Sequence, residues 1–222
     1  MAAYLTGDKQ LIQDIRDNLD THSAVAIQAF ALDEPLEPLE TLKSRVSKKY
    51  GYQRTLAKGA TFTWLYGGGE SAIARNLGIS RDIARDILAT LRTRYPGVAG
   101  WQEAIKETIQ RTGNVSTPWG RTRRFLFHSG LPKNILEAQL REGINSPNQG
   151  MSTDMNQAAF AELEARGYQT LFPFHDAVYL QSPEDEAERV MVDVVRVMEA
   201  VLPGPVPFRA DVKSGKSWSE LG

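Results

Sequence analysis

The sequence predicts an α+β fold in which a helical portion precedes a sheet-bearing one, and two observations carry that expectation. From Lys9 to Gly113 apolar residues recur at helical spacing between cap and stop signals. At "NVSTPWGRTRRFLF", and again at "YQTLFPFHDAVYLQ", the period shortens to that of strands flanking tight turns. With 222 residues, 41% of them hydrophobic, the chain can bury one sizeable core or two modest lobes.

Taken in order, "KQLIQDIRDNL" (9–19) and "THSAVAIQAFAL" (21–32) read as short helices, the second opening on Thr21 as its N-cap candidate. Pro35 and Pro38 break the pattern, and a helical reading resumes through a basic segment to Tyr66, where three glycines end it. "ESAIARNLG", "SRDIARDILATLRTRYPG" and "VAGWQEAIKETIQRTG" are three more helices, with Ser80 capping the second and Asp82 in its first turn. "PWG" then marks a hairpin. Leu131 to Arg166 reads as helix interrupted at Pro147 and Gly150. Two strands meet at His175-Asp176, "PEDEAERVMVDVVRVMEAV" is an amphipathic helix, and "VPFRADV" reads as a closing strand.

Composition removes several classes of function. The chain has no cysteine, hence no disulfide framework, thiolate nucleophile or Cys-based zinc site, which suits a reducing cytoplasm. The N-terminus "MAAYLTGDKQ" lacks a basic region followed by an apolar block, and no apolar run is long enough to span a bilayer, so no membrane partner is expected. A net charge of -1 means that any nucleic-acid surface must arise from local segregation of charge. Lys43 to Lys58 carries six Lys or Arg and no acid, just after the acidic "LDEPLEPLE", and "GRTRRF" (120–125) is a second basic cluster.

Three constellations have the spacing of a site. Arg54, Lys58, Phe62 and Tyr66 fall four apart, and positions four apart on a helix drift by only about 40°, so two cations and two aromatic rings share a stripe. Two cations one turn apart repel unless an anion sits between them; a triphosphate is such an anion, with Phe62 packing on the attached sugar or base. A solvated basic face beside a core aromatic would have the same spacing. In "FHDAVYL", Asp176 at a hairpin turn can ligate a hard cation through oxygen, or simply form the turn. Arg141, Asn145 and Gln149 again recur every fourth residue, a face suited to phosphates and minor-groove base edges, or to solvent.

The order of these segments resembles a known family. "RTLAKGATFTWLYG" is similar to the R-x-x-x-K-x-x-x-F/Y-x-x-x-Y-G signature of the fingers helix of family A DNA polymerases, matching all four side chains and the glycine. "LTGDKQLI" resembles the segment after the family's first palm motif, "DTHSA" its D-x-H-x-x, and "TPWGRTRR" its T-x-x-G-R-x-R. "INSPNQGMSTD" resembles its N-x-P-x-Q-G-x-x-x-D helix, "FHDAVYL" its H-D-E motif and "ADVKSGKSW" its closing strand and tail, so the likeness spans nearly the whole chain. It implies a helical fingers subdomain over about 1–140, with its nucleotide-binding helix at about 46–66. The C-terminal part of a palm, with an antiparallel sheet and packed helices, would follow over 141–222.

The resemblance further implies that Arg54, Lys58 and His22 contact a dNTP triphosphate, that Phe62 stacks at the sugar, and that Tyr66 sits under the templating base. It places Arg141, Asn145 and Gln149, with Arg121 and Arg123, along primer-template DNA, Asp176 on catalytic Mg²⁺, and His175 at the primer end. The family's first palm motif, D-x-S-x-x-E-x-R, would end just before Met1. One carboxylate cannot fix two metals about 3.5 to 4 Å apart. The expectation is therefore a split polymerase whose companion chain brings that motif and the thumb, with or without an exonuclease, and completes the two-metal site. Its setting would be cytoplasmic, a virus-encoded replisome in a bacterial host being one such setting. A catalytically inactive, polymerase-derived module that binds primer-template or nucleotide, and a stretch of a longer polymerase, are the alternatives. Ala177 stands where the H-D-E motif has Glu, and Pro173 enters the strand before it.

Overall fold

The computed structural model describes residues 1–220 apart from Pro38, Phe127 and Ser129, and of Leu39 and Glu40 the backbone alone. Its elements run α1 (Ala2–Thr6), α2 (Lys9–Arg16), α3 (Thr21–Ala29), α4 (Leu39–Leu65), α5 (Glu70–Leu77), α6 (Arg81–Arg94) and α7 (Pro96–Thr112). Then come β1 (Asn114–Ser116), β2 (Thr122–Arg124), α8 (Lys133–Ala165), β3 (Gln169–Phe174), β4 (Ala177–Gln181) and α9 (Ala187–Ala200). The α+β expectation holds, with two two-stranded antiparallel sheets, β1-β2 and β3-β4. Two compact units divide the chain, Met1–Asn148 and Gln149–Gly222, and the boundary falls within α8.

In the first unit the helices begin where side chains satisfy their free N–H groups. Asp8 caps α2 by accepting from Leu11 N, Asp20 caps α3 through Ser23 N, and Ser80 caps α6 through Ile83 N. The cap of α3 is thus Asp20 and not Thr21: a carboxylate one residue earlier reaches the same amides and carries a charge that favours a helix N-terminus. The core forms where α3 (Val25, Ala26), α4 (Leu56, Ala57, Ala60, Trp64), α5 (Ile73) and α6 (Ala84, Ile87, Leu88, Leu91) meet, closed by Tyr95 and Val98. Helix α4 is broken at Tyr50 (φ -134°, ψ 39°), just before Gly51, and its first part packs Leu42 and Val46 against Ile27 of α3. The β1-β2 hairpin packs Val115 and Phe125 on Ile109 of α7 and Leu140 of α8.

A buried ion pair ties α2 to the end of α6. Asp14 accepts from Arg94 Nη2 at 2.8 Å, from the Tyr95 hydroxyl at 2.8 Å and from Gln10 Nε2 at 2.7 Å. The side chains of Asp14 and Arg94 are 3% and 7% exposed. Burial drives the Tyr95 hydroxyl well above its usual range, and the Asp14 charge adds to the effect, so it stays protonated and donates.

In the second unit, Val178 and Leu180 of β4 and Tyr168 lie on Leu163 of α8 and on Val190, Val194 and Val197 of α9. β3 contains Pro173 opposite Val178, which the ladder tolerates because the sheet has only two strands and the missing N–H lies at an edge. Two expectations are corrected here. α8 runs unbroken through Pro147, and residues 206–212 form no strand. Alternating burial from Val206 to Ala210 marks extended chain, but a strand needs a ladder, and Ala210 N donates to the Glu199 carboxylate instead of to a neighbouring strand.

Removing one partner of a buried pair strands the other charge. Arg94→Met should therefore lower the unfolding free energy by about 3–5 kcal/mol in urea denaturation, with much of the loss recovered in the Asp14→Leu/Arg94→Met double variant.

Candidate nucleotide and nucleic-acid site

The geometry of α4 decides which side chains are presented. Leu56, Ala60 and Trp64 are buried, and Arg54, Lys58, Phe62 and Tyr66 sit two residues out of phase with them. Two residues turn a helix by about 200°, so seating one row in the core points the other away from it. Phe62 is 43% and Tyr66 41% exposed, and Lys58 is exposed too. Phe62 and Tyr66, one turn apart beside Lys58, form a small apolar patch open to solvent.

Arg54 is the exception on the stripe, held by the protein's own anion. Its Nε donates to Asp20 Oδ2 at 2.8 Å and to Ser23 Oγ at 3.1 Å, and its Nη2 donates to Asp20 Oδ1 at 3.0 Å. The same carboxylate caps α3 and accepts from the Ser23 hydroxyl, so a single group joins the start of α3 to the middle of α4. Burial alone would raise Asp20's pKa, but the Arg54 and Ser23 hydrogen bonds outweigh it and hold the carboxyl below its ordinary range. The sequence marks Asp20 as the first residue of "DTHSA", but not as the partner of Arg54.

His22 lies on the first turn of α3 against the stripe, its ring centroid 5.5 Å from that of Phe62. Burial lowers its pKa; Asp20 opposes this, and Arg54 and Lys58 add to it. Its Nδ1 is buried with no hydrogen-bond partner among the described residues. The cluster therefore offers a neutral imidazole, an exposed ammonium and an exposed ring side by side.

The wider basic stretch is less basic in three dimensions than in sequence. Arg45 pairs with Glu34 at 3.1 Å and with Glu37, and Lys49 pairs with Glu34 at 3.1 Å. The acidic loop folds back on Arg45 and Lys49, Lys43 and Lys48 stay exposed, and on the stripe itself Lys58 is the exposed cation. At the far end, Gly67 (φ +82°) turns the chain so tightly against α8 that a Cβ there would lie 3.2 Å from Arg141 Cα. This turn borders an open cleft of about 600 Å³ whose lining includes Glu70, Ser71, Arg75, Lys106 and Arg141. The structure thus brings Arg141 beside the end of the stripe. Asn145 is half-buried one turn on, and Arg123 of β2 pairs with Glu142 of α8. Arg121 lies between the strands, exposed but engaged.

The second unit holds Gln149, exposed on α8, and the β3-β4 hairpin with its two-residue tip, His175 and Asp176, both exposed. His175 adopts φ +54°, a left-handed conformation, and its ring lies edge-on to Phe174 with centroids 4.5 Å apart. Asp176 suits a hard cation as one oxygen donor on a protruding turn. Among the described residues no group of three His, Asp or Glu gathers to enclose a metal.

Among solved structures this is the fold of a polymerase domain. The POL domain of Pol1 from M. smegmatis, in complex with DNA primer-template and dNTP, matches 99% of this chain and 38% of its own at a TM-score of 0.81 and 24% identity. The chain belongs to DNA polymerase family A, whose family model matches residues 1–220. It is 30% identical over 224 residues to DNA polymerase I of Lactococcus lactis subsp. lactis, covering 98% of this chain and 24% of the relative. It is 31% identical over 221 residues to the thermostable DNA polymerase I of Thermus thermophilus, covering 97% and 25%. The chain thus spans about a quarter of the length of these curated relatives. No helix among the described residues is long and apolar enough to cross a membrane.

The depressed pKa of His22 means that the unfolded chain takes up a proton the folded chain resists. Its contribution to stability is complete above the ordinary value of 6.5 and is lost as pH falls toward the folded value. A thermal-unfolding series should accordingly show His22→Gln losing less stability than the parent as pH drops below 6.5.

Proposed function

We propose that this chain is part of a DNA-directed DNA polymerase, supplying the dNTP-binding helix of the fingers and one metal-binding Asp of the palm. A segment carrying the first palm motif and the thumb would complete the site. Fingers would occupy about residues 1–140 and the palm portion 141–222. The observation that carries this reading is the exposed row on α4, where Lys58 and Phe62 project while Leu56, Ala60 and Trp64 fill the core. Lys58, Phe62 and Tyr66 stand where a ligand can reach them, while Arg54 is held by Asp20.

In this mechanism the primer 3′-hydroxyl gives up its proton to solvent as its oxygen attacks the α-phosphate of the incoming dNTP, and the α–β phosphoanhydride bond breaks to release pyrophosphate. Lys58 binds the charge that builds on the leaving oxygens and donates a proton to them, a general-acid role worth roughly 10²- to 10⁴-fold in rate. Arg54 adds positive potential from a position fixed by Asp20. Neutral His22 meets the phosphates as a hydrogen-bonding group. Phe62 packs on the sugar, and Tyr66 occupies the insertion site below the templating base. Arg141, Asn145 and Gln149, with Arg121 and Arg123, steady the primer-template through phosphates and minor-groove edges. His175 lies at the primer end. Mg²⁺, held in part by Asp176, would supply Lewis-acid stabilisation of the phosphoryl oxygens once partner carboxylates complete its site.

A second reading, a non-catalytic binder of primer-template or nucleotide, draws on Ala177 in place of the motif's Glu and on the absence of a metal-enclosing group among the described residues. Single-turnover primer extension by the complex purified from its source separates the two. Catalysis predicts that Lys58→Ala slows incorporation by about 10²-fold or more while the Kd for primer-template stays within a few-fold. Extension that is unchanged in Lys58→Ala would remove the role given to that residue. Extension that survives Asp176→Ala would assign the activity to another protein.

A further inference from the structure

We infer that Asn156 is a positioning residue for Asp176. It lies on α8 within the second unit, 7% exposed, and its Nδ2 is 3.2 Å from the carbonyl oxygens of both His175 and Ala177. Those two carbonyls flank Asp176. One side-chain amide therefore grips the backbone on either side of the residue at the hairpin tip.

The tip needs such a hold. It is a two-residue turn on a two-stranded sheet, exposed to solvent, with His175 at φ +54°. The register shifts between Thr170 and Phe172. Backbone pairing behind the tip is interrupted there, and the carboxylate direction of Asp176 depends on how the turn is held.

The chemistry of position 156 supports a positional role over a packing one. Asn156 Oδ1 is buried and finds no hydrogen-bond partner among the described residues, a cost that an aliphatic side chain would not carry. The neighbouring buried positions on α8, Met151, Met155, Ala159 and Leu163, are apolar. The two donor bonds to the turn are what the amide contributes and what a leucine of similar volume would lose.

This inference rests on the reading of Asp176 as a metal ligand, and its test keeps the two apart. Mn²⁺ is titrated into the 222-residue chain, and paramagnetic broadening of the His175–Ala177 amide resonances is followed by NMR, beside thermal unfolding. Asp176→Asn should abolish the selective broadening. Asn156→Leu should remain folded and shift the Mn²⁺ midpoint upward by about tenfold or more, as loss of an outer-shell support does, with Asn156→Ser, which keeps one donor, in between. An unchanged midpoint in a folded Asn156→Leu, where Asp176→Asn has lost the broadening, overturns the positioning role. Broadening that persists in Asp176→Asn overturns the metal reading and the inference with it. Should Asn156→Leu fail to fold, Asn156→Ser decides by the same criterion.

Discussion

The structure of the first unit depends on which way α4 faces. Its inner row, Leu56, Ala60 and Trp64, is locked among α3, α5 and α6, and helical geometry then leaves no freedom about where Lys58, Phe62 and Tyr66 point. Any change that rolled α4 by a fraction of a turn would empty part of the core and bury the cation. Packing and presentation are thus one constraint seen from two sides. Asp20 adds a polar lock to the apolar one, tying Arg54 to the N-terminus of α3 and bringing His22 against Phe62.

Electrostatics at this face is arranged by subtraction. A sequence stretch with six cations loses Arg45 and Lys49 to the acidic loop before it and Arg54 to Asp20. The exposed pairs contribute little to stability. Lys43, Lys48 and Lys58 remain exposed, and of these Lys58 is the one on the stripe, where an approaching anion meets its flexible ammonium next to an open aromatic ring. His22, kept neutral by burial and by two neighbouring cations, adds hydrogen-bonding capacity without adding to that charge.

Much of this was legible in the sequence, and the limits follow from range. The row at 54, 58, 62 and 66, the "PWG" hairpin and the two strands at His175-Asp176 all rest on local period and turn chemistry, which the fold preserved. The Asp20–Arg54 bridge joins residues 34 apart, and nothing local distinguishes a capping Asp from one that also anchors a distant guanidinium. Asn156 was equally hidden, since a lone Asn on an amphipathic helix reads as a solvent-facing residue until the strands that α8 supports are in place. The strand expected at 206–212 failed for the complementary reason: alternation can be read from one segment, but the ladder partner that makes a strand cannot.

The central claim, that the exposed row of α4 receives a deoxynucleoside triphosphate, is tested most directly by photoaffinity labelling. The 222-residue chain is irradiated with an azido-dNTP and the adduct is mapped by mass spectrometry. The account predicts labelling between Arg54 and Tyr66 that unlabelled dNTP competes away and that Lys58→Ala removes. Labelling elsewhere in the chain, or labelling of α4 that is indifferent to both competitor and Lys58→Ala, would contradict it.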